Sequence, residues 1–206
     1  MRLTVGTHNL LDGAGTATGF ADLILFTEAP SIAEVRADLG PGYIVKRCRW
    51  QRDLVIAWRR NLPIEFLGQR YRLAHLGLAL VSPHRGTWTV KLLIDGARVK
   101  VPIGHRVNAA FPPFKRGEAL LRPRWWQRHA DIDDLLIGRA IDAGWEIVAG
   151  GDMNTPPDRL AYSADLGLAE HMRGLDRLAT TGRVERFERL GNAGSDHPRL
   201  RIDVVL

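Results

Sequence analysis

The stretch TWTVKLLIDGARVKVPIGH, residues 87–105, constrains the fold more than any other part of the chain. Two runs of alternating apolar residues flank Asp95-Gly96, a dipeptide favoured in tight two-residue turns, so the stretch predicts an antiparallel hairpin. Apolar, β-rich runs also fill residues 43–81, namely YIVKRC, DLVIAWRR, IEFLGQRYRLA and GLALVS. We therefore expect the middle of the chain to consist of neighbouring strands.

Helical patterns lie on either side of this strand-rich region. SIAEVRADLG has Ser31 as a helix cap, Glu34 three residues later and Gly40 as a stop. The longest helical pattern covers residues 118–144, where Pro123 either breaks the helix or sits in the first turn of its main part. Strands in the middle and helices outside predict a mixed α/β fold with stacked sheets. Because no Pro/Gly/Ser linker interrupts the pattern, we expect one domain over residues 1–206.

The charge distribution favours a polyanionic partner. Residues 41–130 contain 18 Lys/Arg and 4 Asp/Glu, whereas residues 131–206 contain 9 and 14. A basic excess of this size favours nucleic acid, with a merely solvated basic surface as the alternative. Because Cys48 is the only cysteine, disulfide frameworks and cysteine-based metal sites are excluded, and we expect a cytoplasmic protein. The absence of an apolar run of about 18 residues predicts that the chain does not span a membrane.

Polar side chains follow four of the apolar runs. LTVGT is followed by Asn9, DLILFT by Glu28, and WEIVAGG by Asp152 and Asn154, while VKVPIG leads to His105. Strand ends of layered α/β folds tend to meet at one edge, where sites are built. The GSDH stretch before the last apolar run adds two more polar residues. The candidate site consists of Asn9, Glu28, His105, Asp152, Asn154, Asp196 and His197.

This set of side chains suits metal-assisted phosphate chemistry. Carboxylate and amide oxygens are the ligands that Mg²⁺ or Mn²⁺ prefer. A carboxylate can orient or deprotonate an attacking water, and amide or imidazole donors can hold the non-bridging oxygens of a phosphate. The set contains no promising nucleophile, so it indicates direct attack by water rather than a covalent intermediate.

The same motifs resemble those of the endonuclease/exonuclease/phosphatase superfamily, the DNase I-like and exonuclease III-like enzymes. The matching pieces are THNL, ILFTEAP, PIGHRVNA, GGDMNTP and GSDHPRL, which occur in the family's order between residues 7 and 200. The resemblance implies a four-layered α/β sandwich, in which two packed mixed β-sheets are flanked by helices.

The resemblance also implies a role for each candidate. Glu28 would be the principal ligand of Mg²⁺ or Mn²⁺, with Asn9 and Asp196 contributing nearby. Asp152 would position or deprotonate the attacking water. The other candidates would contact the phosphate, and a neighbouring carboxylate would orient the last histidine; the stretch GRVERFERL offers Glu185 for this purpose. The residues that would contact the phosphate are Asn154, His105 and His197, and Asn9 would also belong to the catalytic set.

From these residues we expect a divalent-metal-dependent phosphodiesterase that hydrolyses nucleic acid, as a DNA endonuclease or exonuclease. One alternative is a phosphatase or phosphodiesterase of the same superfamily acting on a small or lipid phosphate ester. Another is a non-catalytic nucleic-acid-binding module. We expect DNA as the partner, no membrane association and a monomer.

Tryptophans lie among arginines at two places and allow two interpretations. Trp50 and Trp58 occur in one arginine-rich segment, and Trp125-Trp126 in another. Aromatic rings beside arginines can stack on bases and contact phosphates. Large aromatic side chains more often belong to the core, which is the interpretation we favour for all four.

Overall fold

Two mixed six-stranded sheets and two helices make up the computed structural model, which describes residues 1–73, 86–106, 118–155, 160–173 and 175–206. The predicted run GLALVS lies outside these residues. The strands are β1 Arg2–Asn9, β2 Leu23–Thr27, β3 Tyr43–Arg47, β4 Val55–Arg59, β5 Ile64–Leu73, β6 Gly86–Ile94, β7 Ala97–His105, β8 Glu146–Asp152, β9 Ala169–Arg173, β10 Asp176–Thr180, β11 Arg183–Leu190 and β12 Arg199–Val205. The helices are α1 Ile32–Leu39 and α2 Glu118–Asp142.

Each sheet contains one parallel pair of strands near its centre. The first sheet has the order β11-β12-β1-β2-β4-β3, with β1 and β2 parallel. The second has the order β5-β6-β7-β8-β10-β9, with β7 and β8 parallel. The remaining neighbours in both sheets are antiparallel.

The sheets pack face to face around the main apolar core, which confirms the predicted four-layered α/β sandwich. Leu25 and Ile56 from the first sheet and Val101 and Val148 from the second are buried in this core. Each helix covers the outer face of one sheet. Helix α1 buries Val35 against the first sheet, and α2 buries residues such as Ile137 against the second.

The local predictions at turns and helix ends are confirmed. Asp95 and Gly96 both have positive φ, 49° and 82°, as a two-residue hairpin turn between β6 and β7 requires. Ser31 Oγ accepts a hydrogen bond from the backbone N–H of Glu34 at 3.1 Å and so caps α1. Pro123, by contrast, is the sixth residue of α2, so it neither breaks the helix nor lies in its first turn, contrary to both predicted alternatives. Within the described residues, no helix is both long and apolar enough to cross a membrane.

Candidate active site

The ends of the parallel strands meet at one edge of the sandwich. In the first sheet, β1 ends at Asn9 and β2 ends immediately before Glu28. In the second sheet, His105 at the end of β7 lies opposite Asp152 at the end of β8. Because parallel neighbours run in the same direction, each pair ends on the same side of its sheet. The predicted convergence of these four residues is therefore confirmed.

Contacts between side chains of the two sheets show how close these four residues are to one another. Glu28 Oε1 lies 3.2 Å from His105 Nε2, and Asn9 Nδ2 donates a hydrogen bond to Asp152 Oδ2 at 3.1 Å. The same carboxylate oxygen of Asp152 lies 3.7 Å from His105 Nε2. One ligand atom each from Glu28, His105 and Asp152 lies within 4.8 Å of the other two. The cleft between the sheets is thus lined by groups that can contact one ion or one phosphate.

Asp53, which the sequence analysis did not identify, orients His105. Its Oδ2 lies 2.8 Å from His105 Nδ1, which leaves Nε2 as the ring nitrogen nearest Glu28 and Asp152. The backbone carbonyl of Asp53 also accepts a hydrogen bond from Ala29 N at 3.0 Å. The loop before β4 therefore holds both the imidazole and the residue that follows Glu28.

Two site residues adopt backbone conformations that side chains of L-residues rarely take. Glu28 has φ of 52° and Asn154 has φ of 45°. A left-handed conformation costs on the order of 1–2 kcal/mol for a non-glycine residue, and such residues concentrate at functional sites. At Glu28 the chain turns directly after β2, and the side chain then reaches His105 in the other sheet.

Asn154 belongs to a compact turn after β8. Its backbone N–H donates to Asp152 Oδ1 at 3.1 Å, which is the Asx-type arrangement common at such turns. Its side-chain Nδ2 donates to the carbonyl of Arg106 at 2.9 Å. Behind the turn, Trp126 Nε1 donates to the carbonyl of Met153 at 2.8 Å. The segment that carries Asp152 and Asn154 is therefore fixed from both sides.

Gly151 allows β7 and β8 to approach each other at the site. It has φ of 129°, and a Cβ placed there would lie 2.2 Å from the carbonyl oxygen of Gly104. No larger residue fits without separating the strands. The second glycine of GGDMN thus places Asp152 opposite His105.

His197 approaches the cleft from the loop before β12 and pairs with Asp176. Its Nδ1 lies 2.7 Å from Asp176 Oδ2, and Asp176 lies opposite Asp152 in the β8–β10 register. Burial alone would lower the pKa of His197, but the hydrogen bond and charge of Asp176, with Asp152 and Asp196, raise it to about 9. Burial raises the pKa of Asp176 to about 6, although its hydrogen bond from His197 opposes this shift. Between these values the pair is an imidazolium and a carboxylate.

The expectation that Glu185 orients His197 is wrong. Glu185 lies on β11, where its carboxylate contacts Arg2 and Arg183. Asp176, 21 residues before His197 in sequence, occupies the position expected for Glu185. Glu185 is closer to the GSDH motif in sequence, whereas the fold brings the supporting carboxylate from β10 of the other sheet.

The remaining candidates, Asn9 and Asp196, differ in how deeply their side chains are buried at the cleft. Asn9 is buried, and its Oδ1 accepts a hydrogen bond from Leu11 N at 2.8 Å. Asp196 has a side chain that is 62% exposed, and its Oδ1 lies 3.6 Å from His197 Nε2. Asp196 therefore borders the His197 side of the cleft and is outside the compact group of Glu28, His105 and Asp152.

The donor set fits a hard divalent cation. Carboxylates of Glu28, Asp53 and Asp152 lie around one imidazole, and Asp176 is fully buried beside Asp152 in the sheet. Like charges at this density destabilise the folded chain unless a cation offsets them. Oxygen donors from Glu28 and Asp152 match the preference of Mg²⁺ or Mn²⁺, whereas Asn9 turns its amide nitrogen to Asp152 and its oxygen to Leu11 N.

Solved structures share this architecture over their full length. An endonuclease/exonuclease/phosphatase family protein from Bacteroides thetaiotaomicron has a TM-score of 0.72 and 12% identity, covering 99% of this chain and 98% of its own. The chain has the DNase I-like fold of the endonuclease/exonuclease/phosphatase superfamily.

Two other DNase I-like structures differ in what they act on or bind. TDP2 from D. rerio, complexed with a single-strand DNA product, has a TM-score of 0.67 and 13% identity, covering 100% of this chain and 99% of its own. The mannosyl-6-phosphatase of Bacteroides thetaiotaomicron has a TM-score of 0.66 and 12% identity, covering 99% and 100%. No protein-family model and no curated protein sequence matches the chain.

The tryptophans divide between the core and the rim of the DNase I-like sandwich. Trp58 and Trp126 are buried, as predicted, whereas Trp50 is 66% exposed, so the core interpretation is wrong for it. The guanidinium of Arg49 lies 5.9 Å from its ring. Trp50 belongs to the same short loop as Asp53, which contacts His105. An exposed aromatic ring and several arginines therefore lie on a loop that reaches the candidate site.

Proposed function

We propose that this protein is a divalent-metal-dependent phosphodiesterase that hydrolyses nucleic acid, as a DNA endonuclease or exonuclease. The observation that carries the proposal is the cleft in which Glu28, His105 and Asp152 come from both sheets to within 4.8 Å of one another. A catalytically inactive binding module has no use for this group of acids, whose mutual repulsion lowers stability. The geometry therefore favours catalysis over binding alone.

The residues can divide the reaction between them. Asp152 orients the attacking water and accepts its proton, while Asn9 holds the Asp152 carboxylate in place. Protonated His197, held by Asp176, donates a hydrogen bond to a non-bridging phosphate oxygen. His105 and the amide of Asn154 lie beside Asp152 and provide further contacts to the phosphate. Glu28 would hold the cation, with Asn9 and Asp196 nearby, and a bound Mg²⁺ or Mn²⁺ would neutralise charge on the leaving oxygen.

Two observations favour nucleic acid over a small phosphate ester. The excess of Lys and Arg in residues 41–130 suits a polyanion, and exposed Trp50 offers a surface on which a base can stack. A DNase I-like neighbour, TDP2, is complexed with single-strand DNA. The mannosyl-6-phosphatase has a similar fold, so hydrolysis of a small phosphate ester is the second candidate.

A plasmid-nicking assay tests the proposal directly. We expect the purified protein to relax or degrade supercoiled DNA with Mg²⁺ or Mn²⁺, because the cleft provides oxygen donors for a hard cation. Activity should disappear in EDTA and return when excess metal is added. Hydrolysis of small phosphate monoesters without any DNA cleavage would contradict the nucleic-acid assignment and support the second candidate.

Trp50→Ala tests whether the exposed ring contacts the polymer. Because stacking on an aromatic ring contributes about 1–3 kcal/mol per base, we expect kcat/KM for a single-stranded oligonucleotide to fall roughly tenfold. Hydrolysis of bis(4-nitrophenyl) phosphate, which carries no neighbouring base, should be unaffected. Phe187→Ala, which removes an exposed aromatic ring from β11, is the matched control. An equal loss on both substrates would mean that Trp50 supports the loop rather than the substrate.

A further inference from the structure

A second basic surface lies on the outer face of the β5–β6–β7 part of the sandwich. Residues of these strands alternate, so that Val90 and Val101 face the main core while their neighbours face away from it. The outward side chains include five cations that the strand register places side by side. We call this surface the basic face and define it as Arg70, Arg72, Lys91, Arg98 and Lys100.

A cavity of about 140 Å³ lies between the basic face and α2. Four members of the basic face line it, and the hydroxyl of Thr89 supplies a further polar group. Helix α2 contributes Ile137 and Asp133 to the opposite wall. Cations and hydroxyl donors around a small cavity are the groups that recognise phosphate oxygens.

The charge of the basic face is not compensated by nearby acids. Asp133 is hydrogen-bonded to Arg106 Nη2 at 2.8 Å and to the hydroxyl of Thr87, so its carboxylate is already neutralised. In the part of the chain that the structure describes, no ion pair joins a cation of the basic face to a carboxylate. A cluster of this kind attracts an external anion.

Trp145 holds three of these cations together. The charged groups of Arg98, Lys100 and Lys91 lie 4.2, 4.9 and 6.0 Å from the centre of its ring. Attraction to the ring face partly offsets their mutual repulsion. Burial, followed by the charges of Lys91 and Arg98, lowers the pKa of Lys100. The cations therefore repel one another, and a bound anion would reduce that repulsion.

We propose that the basic face binds the sugar-phosphate backbone of nucleic acid outside the active site. The proposal rests on the function proposed above. Arg98 lies near the start of β7 and His105 at its end, seven residues or about 23 Å away at the usual rise of a strand. Arg72, at the other end of the basic face, lies beside Thr87, which pairs with Gly104 next to His105. The basic face thus extends from the edge of the sandwich that carries the cleft and spans several phosphates.

The shape of the surface favours a nucleic-acid strand over a lipid membrane. Helix α2 forms one wall of the cavity and the sheet forms the other, so the cations line a recess rather than a flat plane. A single strand can place its phosphates in such a recess, whereas lipid headgroups in a bilayer cannot enter it together. Binding to anionic vesicles is therefore one of the outcomes that the experiment must distinguish.

The test compares the double variant K91Q/K100Q with R183Q/R189Q, which removes the same charge from exposed positions on β11. Binding of a fluorescent 20-nucleotide single strand is measured by anisotropy in EDTA over a range of salt concentrations. We expect K91Q/K100Q to bind about tenfold more weakly at low salt. Its slope of log K against log salt should fall by about 1.4, because each lost phosphate contact contributes about 0.7. R183Q/R189Q should match the unaltered protein.

Other outcomes would overturn the inference. Equal losses in the two double variants would show a general charge effect, and no loss in K91Q/K100Q would remove the basic face from the interface. Loss of binding to phosphatidylserine vesicles without a change in oligonucleotide binding would reassign the surface to membranes. Thermal unfolding of each variant verifies that it is folded. If the unaltered protein cleaves plasmid DNA but K91Q/K100Q binds normally, only this inference fails; if it neither cleaves nor binds DNA, the proposed function fails as well.

Discussion

Asp152→Asn is expected to lower kcat for DNA hydrolysis by about 10³-fold, within the range of 10²–10⁴ that a positioned acid or base contributes. The substitution keeps the size of the side chain but removes the charge that would orient and deprotonate water. Asp152 lies at the centre of the cleft, where it contacts Asn9, His105 and the turn to Asn154. The measurement is single-turnover cleavage of a labelled oligonucleotide with saturating Mg²⁺.

Two further measurements separate chemistry from folding and binding. Asp152→Asn removes repulsion from neighbouring carboxylates, so its thermal unfolding midpoint should be unchanged or higher. Oligonucleotide binding should persist, because the basic residues remain. Asp142→Asn makes the same chemical change at an exposed position at the end of α2 and should be fully active. Cleavage by Asp152→Asn at more than a tenth of the normal rate would exclude Asp152 as the catalytic carboxylate.

The sequence predicts the cleft because its key residues follow recognisable strands. Asn9, Glu28, His105 and Asp152 each mark the end of an apolar run, and the chain direction of β1, β2, β7 and β8 brings those ends together. The hairpin at Asp95-Gly96 and the cap at Ser31 depend only on neighbouring residues, which explains why both could be predicted. Local patterns thus determine which residues stand at the edge of the sandwich.

The residues that orient the two histidines could not be predicted in the same way. Asp53 lies in the loop before β4, 52 positions from His105, and nothing in its neighbourhood distinguishes it from other loop acids. Asp176 reaches His197 only because β10 pairs with β8, a register that the sequence does not reveal. The general preference of large aromatic residues predicts a core position for Trp50, whereas the path of the loop leaves its side chain exposed.

Asp176→Asn and Glu185→Gln together test which carboxylate orients His197. The fold places Asp176 beside His197, whereas the sequence predicts Glu185 for this role. Burial lowers the pKa of His197, and the hydrogen bond and charge of Asp176 are the main influences that raise it. Without the Asp176 charge, the pKa of His197 should therefore fall. The imidazole should then lose its proton well below pH 9, and with it a charge-assisted hydrogen bond worth about 1.5–3 kcal/mol. We expect kcat at pH 8 to fall about 10- to 100-fold, with a smaller loss at pH 6. Glu185→Gln alters only exposed ion pairs with Arg2 and Arg183 and should have little effect.

The pH dependence distinguishes an orienting role of Asp176 from a structural one. In the unaltered protein, the folded-state pKa of His197 is about 9, above its ordinary value of 6.5. The contribution of protonated His197 to stability is therefore complete below pH 6.5 and is lost as the pH rises towards 9. The alkaline limb of the kcat profile should follow the same proton and should move to lower pH in Asp176→Asn. If Asp176→Asn lowered kcat equally at every pH, the cause would be damage to the β8–β10 pairing. If Glu185→Gln instead moved the alkaline limb of the kcat profile, Glu185 would be the residue that orients His197, as the sequence predicts.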